Sequence, residues 1–130
     1  MGVGRRSLAV AERPLPPGVV DAAKRINAGT QNKVGTRVIS ETDLMNQAFS
    51  GDPPKADRPR LRLPEDDDGK TAKSMRRGIR TYAEGCFAAI RNSASHDDLD
   101  EVAHDDALEQ LAAFSVLARW IDRAEVVTVS

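Results

Sequence analysis

The chain has 130 residues and a formal net charge of −1; 40% of its residues are hydrophobic, 30% charged and 4% aromatic. This length corresponds to one domain and excludes an enzyme with separate cofactor and substrate domains. A single cysteine, Cys86, excludes a disulfide scaffold, and no apolar run reaches the length that a membrane helix needs.

Residues 1–17 are predicted to form a poorly ordered leader, because they contain three prolines and no sustained apolar period. Their one apolar stretch, residues 8–11, is too short for a secretory signal, so we expect a cytoplasmic protein. From residue 18 to residue 130 we expect a single helical domain.

Two helices are predicted in the first half of this domain. Apolar residues at helical spacing predict one helix over residues 19–28, with prolines before its start, and a shorter one over 43–49 with Ser40 or Thr42 as its cap. Residues 50–69 contain four prolines and predict an extended loop. Arg60–Leu63 alternates like a strand but has no second strand to pair with, so we expect its two leucines to hold the loop against the helices.

Two long helices are predicted in the second half. Apolar spacing predicts one from Thr71 to Arg91, in which Gly78 and Gly85 share a face and suggest a close helix crossing. The other covers residues 107–126 and is apolar nearly all round. The class is therefore all-α: a small helical bundle with two long core helices. The residues expected to be most buried are Ile79, Phe87, Ile90, Leu108, Leu111, Phe114, Leu117 and Ile121.

Between the two long helices lies Arg91-Asn92-Ser93-Ala94-Ser95-His96. Arginine has a planar fork of donors for phosphate, and histidine exchanges protons near neutral pH. A neutral His96 would take the 2′-OH proton of RNA while Arg91 stabilises charge on the scissile phosphate, without a metal or other cofactor. The pair converges only if the helix breaks between Asn92 and His96, which we predict.

A second set of candidate residues forms a basic strip on the first long helix: Lys73, Arg76, Arg77 and Arg80. If these cations follow RNA phosphates, affinity falls with salt. The alternative is an ordinary solvated helix face.

A competing site uses His96, Asp100 and His104, which are spaced four and four. A helix there would align them as ligands for Zn²⁺ or Mn²⁺. The same stretch is also typical of a turn with helix-capping acids, and we assign no metal.

The motif also resembles that of HEPN domains, in which an arginine, usually followed by asparagine or another polar residue, precedes a terminal histidine. Four segments in order, ETDLMNQAFS, PRLRL, EGCFAAIRNSASH and ALEQLAAFSVLARWIDRA, resemble the Ymh-like family that is often associated with abortive infection. The resemblance runs from about Val19 to Ala124. The segment before Val19 looks shorter than in that family, and Ser93 stands where proline is common.

The resemblance implies a dimeric helical bundle with the two motifs brought together across the interface. It implies a metal-independent endoribonuclease that acts in phage defence or as a toxin and leaves a 2′,3′-cyclic phosphate. Arg91 and His96 would be catalytic and Asn92 would orient or polarise. The partners would be RNA and a second copy of the chain; a restraining partner protein is left open. The alternative is a non-catalytic dimerisation or interaction module of the same fold.

Overall fold

The computed structural model describes residues 18–91 and 104–129. It contains four α-helices, α1 (Val19–Val34), α2 (Glu41–Ala48), α3 (Lys70–Gly85) and α4 (His104–Arg123), with a π-helix, Cys86–Arg91, that continues α3. Two short strands, β1 (Arg60–Arg62) and β2 (Glu125–Val127), complete it. The all-α prediction is confirmed. The predicted leader, residues 1–17, lies outside the described residues.

The first helix is six residues longer than predicted. Gly29 lies inside α1, although glycine disfavours a helix interior by about 1 kcal/mol. Thr30 and Val34 follow it and are buried in the bundle, so tertiary packing extends the helix past the glycine. Gly35, at φ 80°, ends α1 in the left-handed conformation that glycine adopts without strain.

The N-terminus of α2 differs from the prediction. The Ser40 side chain makes no capping hydrogen bond, and Thr42 lies inside the helix. Instead the backbone N–H of Glu41 donates to Oδ1 of Asn27 on α1 at 2.6 Å. A side chain distant in sequence therefore satisfies this donor and joins the two helices.

Arg60–Arg62 does form a strand, and its partner lies at the end of the chain. β1 pairs antiparallel with β2, with Leu61 opposite Val126. The prediction of an unpaired loop and of a helix through residue 126 was wrong, since α4 ends at Arg123 and the next residues are extended. Val126 and Val127 are β-branched and suit a strand. Leu61 and Leu63 are buried, as predicted.

The core lies where α1, α2 and β1 meet the inner faces of α3 and α4. Ile79, Phe87, Phe114, Leu117 and Ile121 are buried as predicted. Leu108 is 45% exposed, against the prediction, and Ile90 and Leu111 are only partly buried. The short elements fill the space instead, through Leu44, Met45, Phe49 and Leu61.

The predicted close crossing at Gly78 and Gly85 is not formed within the described part of the chain. Both glycines are exposed, and no atom of another element lies within 4 Å of the position that a β-carbon would take. α3 and the π-helix contact α4 through aromatic rings instead. Tyr82 lies edge-on to Trp120 at 5.1 Å, and Phe87 lies edge-on to Phe114 at 5.9 Å.

Candidate functional site

The π-helix positions Arg91, its last residue. A continuous α-helix was predicted to residue 91, but the last six residues form the wider π turns, which rotate Arg91 away from its α-helical position. Cys86 and Phe87 are buried against the core, while Ala88 and Ala89, on the other side of this segment, are exposed. π turns inside helices are rare and are frequent at functional sites. Arg91 therefore follows a long helix through a π-helical segment that changes its direction around the helix axis.

Arg91 forms an ion pair with Glu41, the first residue of α2. Its Nη2 lies 3.1 Å from Oε2 of Glu41, and the two side chains are 27% and 33% exposed. Both groups are thus held by the bundle and reachable from solvent. A guanidinium in this setting offers a positive charge and fixed donor directions to an anion such as phosphate.

Glu41 has an unusual backbone conformation. Its φ is 53°, in the left-handed region that a non-glycine residue adopts at a cost. The hydrogen bond from its N–H to Asn27 accompanies that conformation. Residues of α1, α2 and the π-helix therefore meet at one point, around the ion pair between Glu41 and Arg91. Glu41 is not identifiable from the sequence, since no spacing rule connects residues 50 positions apart.

The remaining members of the predicted catalytic set, Asn92 and His96, lie outside the described residues. So do the predicted helix break and Asp100, and His104 is described by its backbone alone. In the parts of the chain that the structure describes, no three His, Cys, Asp or Glu side chains gather as a metal ion requires.

The four residues of the predicted basic strip differ in burial and in their hydrogen-bond partners. Arg76 is 5% exposed and pairs with two carboxylates: its Nη1 donates to both oxygens of Asp66 at 3.0 and 3.2 Å, and its Nη2 donates to Asp68 at 2.8 Å. Arg80 is half-buried and donates to the Phe49 carbonyl at 2.7 Å. Lys73 and Arg77 are exposed. Only these last two present their charges openly to solvent.

Arg60 and Arg62 also donate hydrogen bonds in this region. The sequence prediction gave a role only to the leucines beside them. Arg60 is 4% exposed and donates to the carbonyls of Gln47, Asp52 and Pro53. Arg62 donates to the Ser50 carbonyl at 2.6 Å. Gln47 lies in the last turn of α2, and the other carbonyls belong to the loop that follows it. The alternation Arg-Leu-Arg-Leu could have indicated this arrangement, in which the leucines are buried and the arginines donate to carbonyls at and after the end of α2.

Two pKa shifts near this region have clear causes. The hydrogen bond from Arg76, followed by the charge of Lys73, lowers the pKa of Asp68. Burial raises the pKa of the Cys86 thiol, which fits a structural cysteine rather than a nucleophile.

The helices that the structure describes include none long and apolar enough to cross a membrane. Residues 11–121 match the model of a family described as "Protein of unknown function (Hypoth_ymh)". The match includes Glu41 and the whole segment from Arg91 to His96. No curated protein matches the chain, and no solved structure does.

Proposed function

The chain belongs to the Hypoth_ymh family, and from its segment Arg91 to His96 we propose that it is a metal-independent endoribonuclease of the HEPN type. It acts in the cytoplasm, in phage defence or as a toxin. The family match covers the four segments that carry the resemblance almost completely, stopping three residues before the last one ends.

One observation carries the proposal: the placement of Arg91. The bundle holds its guanidinium at the end of α3 and the π-helix, 27% exposed and fixed by Glu41. A phosphate can approach a cation at that depth, while a fully buried arginine such as Arg76 is closed to it. Asn92 and His96 follow directly in the sequence.

The chemistry needs only side chains. The neutral His96 imidazole removes the proton from a ribose 2′-OH, and the oxygen attacks the adjacent phosphorus. Arg91 stabilises the negative charge that develops on the non-bridging oxygens, and Asn92 orients the phosphate. The bond from phosphorus to the 5′-oxygen breaks, this oxygen takes a proton from water, and the His96 imidazolium returns its proton to the solvent. The products are a 2′,3′-cyclic phosphate and a 5′-hydroxyl end.

The test measures cleavage of labelled single-stranded RNA by the purified protein, with and without EDTA. His96→Ala is expected to abolish cleavage, and EDTA to leave it unchanged. His104→Ala is the matched control, because the chain has two histidines and the proposal uses one. Identification of 2′,3′-cyclic phosphate ends confirms the internal attack.

Two outcomes overturn the proposal. If EDTA and His104→Ala both abolish cleavage, the site is the competing metal centre of His96, Asp100 and His104. If the folded wild-type protein cleaves no more RNA than His96→Ala, the chain is a non-catalytic module.

An exposed apolar face favours the second candidate, a dimerisation or interaction module. Leu108, Ala112 and Val116 lie one helical turn apart on α4, and Leu108 and Val116 are 45% and 44% exposed. Aligned apolar side chains on a surface mark interfaces. We place a symmetric dimer contact on this face, which the ribonuclease proposal also uses to bring two motifs together.

Sedimentation at micromolar concentration tests the dimer. The wild type is expected at twice the 14.1 kDa of one chain, about 28 kDa. Leu108→Asp with Val116→Asp should give the monomer, because charges would be buried in the interface. Val38→Asp is the control, since Val38 is 92% exposed and lies in a loop. A wild-type monomer would rule out the dimer and the composite site.

A further inference from the structure

The exposed cations at the start of α3 border an open groove of about 500 Å³. Lys70, Lys73 and Arg77 lie on one face of the helix, about one residue per turn, and all three are exposed. Arg80 also lines the groove. The complete lining is Asp68, Gly69, Lys70, Lys73, Ser74, Arg77 and Arg80.

The groove lining holds one carboxylate, that of Asp68, against four cations. The carboxylate of Asp68 accepts a hydrogen bond from Arg76 Nη2 at 2.8 Å. Asp66 also pairs with Arg76, and Asp67 accepts the N–H of Gly69 at 2.9 Å. Asp68 also interacts with the charge of Lys73, so it offsets part of the positive charge but not all of it. The groove therefore presents an excess of positive charge to solvent.

The lining favours a nucleic acid over a protein. Protein interfaces centre on aromatic and apolar residues that fill pockets. The groove is lined by charged residues, serine and glycine, with no aromatic or aliphatic side chain among them. Cations repeating along an axis suit the regularly spaced phosphates of a strand, where each contact releases counterions.

We propose that Lys70, Lys73 and Arg77 bind the phosphates of RNA that flanks the cleaved bond, an inference that rests on the proposed ribonuclease activity. Lys73 lies about 25 Å from Arg91 along α3 and the π-helix, from the residue rise of the helix. At the 3.4 Å spacing of a stacked strand this distance corresponds to about seven nucleotides. Efficient cleavage therefore requires RNA that extends beyond the cut by that length on one side.

The first measurement is binding of a fluorescent 15-nucleotide RNA to the His96→Ala protein over a series of salt concentrations. Lys73→Glu with Arg77→Glu is expected to weaken binding about tenfold and to lower the log–log salt slope by about 1.4, for two lost contacts. Lys24→Glu with Arg25→Glu is the matched control: these are exposed cations of α1, and the change in charge is identical. It should leave the slope unchanged.

The second measurement is cleavage of RNAs of four and 15 nucleotides by the same variants with His96 intact. The groove variant should reduce kcat/KM on the long substrate alone, because the short one cannot span the distance. Lys70→Glu changes one exposed residue and should show the same pattern more weakly. It replaces the double variant in this test if the double variant does not fold.

Unchanged binding and salt slope in the groove variants would overturn this inference, even if the wild type cleaves RNA. If those variants instead lose only binding to polyglutamate, the groove serves an acidic protein and the RNA assignment is wrong. A wild type that binds the long RNA through the groove but cleaves nothing would contradict the ribonuclease proposal and leave the groove as a binding site.

Discussion

The two ends of α3 use arginine in different ways. In its N-terminal half Arg76 is 5% exposed and donates to carboxylates, much as Arg60 of β1 is 4% exposed and donates to backbone carbonyls. At the far end, in the last position of the π-helix, Arg91 is 27% exposed and pairs with a glutamate that is itself a third exposed. Arginine therefore stabilises the fold at one end of this helical segment, while at the other end it is partly accessible to solvent.

This difference shows why charge in a sequence is a weak guide to binding. Arg76 and Arg77 are adjacent in a basic run, yet one is buried against Asp66 and the other is exposed. A buried arginine is stabilised only if carboxylates or carbonyls replace its water. An exposed arginine keeps its water and can exchange it for a phosphate.

Arg76→Ala should have the largest effect on stability. It leaves the Asp66 side chain, 6% exposed, buried without its closest cation, and such a loss costs about 3–5 kcal/mol. Urea denaturation measures this cost. The neighbouring Arg77→Ala is the control and should change the free energy of unfolding by about 0.5 kcal/mol or less. Equal small losses in the two variants would mean that the buried Arg76 contributes no more to stability than the exposed Arg77.

Arg91→Ala should give the opposite pattern, with activity lost and stability kept. Cleavage should fall by about 10²–10³-fold, the loss typical of one donor to a developing charge. The free energy of unfolding should change by about 1 kcal/mol or less, since the pair with Glu41 is partly exposed.

Glu41→Gln sharpens this test, because Glu41 holds Arg91 in position. It should lower kcat by about tenfold in the wild type and have no further effect in the Arg91→Ala background. Glu65→Gln is the control, since it breaks the exposed 2.8 Å pair with Arg123. An effect of Glu41→Gln that persists without Arg91 would contradict the positioning role.

The smallest expected effect is on the pH dependence of stability, through Asp68 before the N-terminus of α3. The Arg76 hydrogen bond lowers the pKa of Asp68 from its ordinary value of 3.8, so the folded state binds this proton less strongly than the unfolded state. Its contribution to stability is present above that value and is lost as pH falls through the lowered pKa. Stability should therefore decline less steeply below about pH 5 in Asp68→Asn than in the wild type.

Urea denaturation at a series of pH values measures that slope, with Asp57→Asn, another exposed aspartate, as control. Because the Asp68 side chain is 73% exposed, solvent screens the pair and the difference should be small. Parallel curves for Asp68→Asn and the wild type would contradict a stabilising pair.

The long helices were predictable because their signal is local. Ile79, Ala83 and Phe87 recur at helical spacing in α3 and its extension, as do Phe114, Leu117 and Ile121 in α4, and all six are buried. The Arg91-to-His96 motif was also visible, since its chemistry depends on residue types a few positions apart. The pairing of Arg91 with Glu41 was not, because its members come from elements that meet only in the folded chain.

The sequence by itself therefore determined the all-α class, the existence of the two long helices and the position of the candidate motif, through periodicity and composition. The tertiary structure decided the extension of α1 past Gly29, the pairing of β1 with β2, the burial of Arg76 and the partner of Arg91. Each of these depends on groups distant in sequence, which supply the buried surface, backbone acceptors or opposite charge that local propensity does not contain.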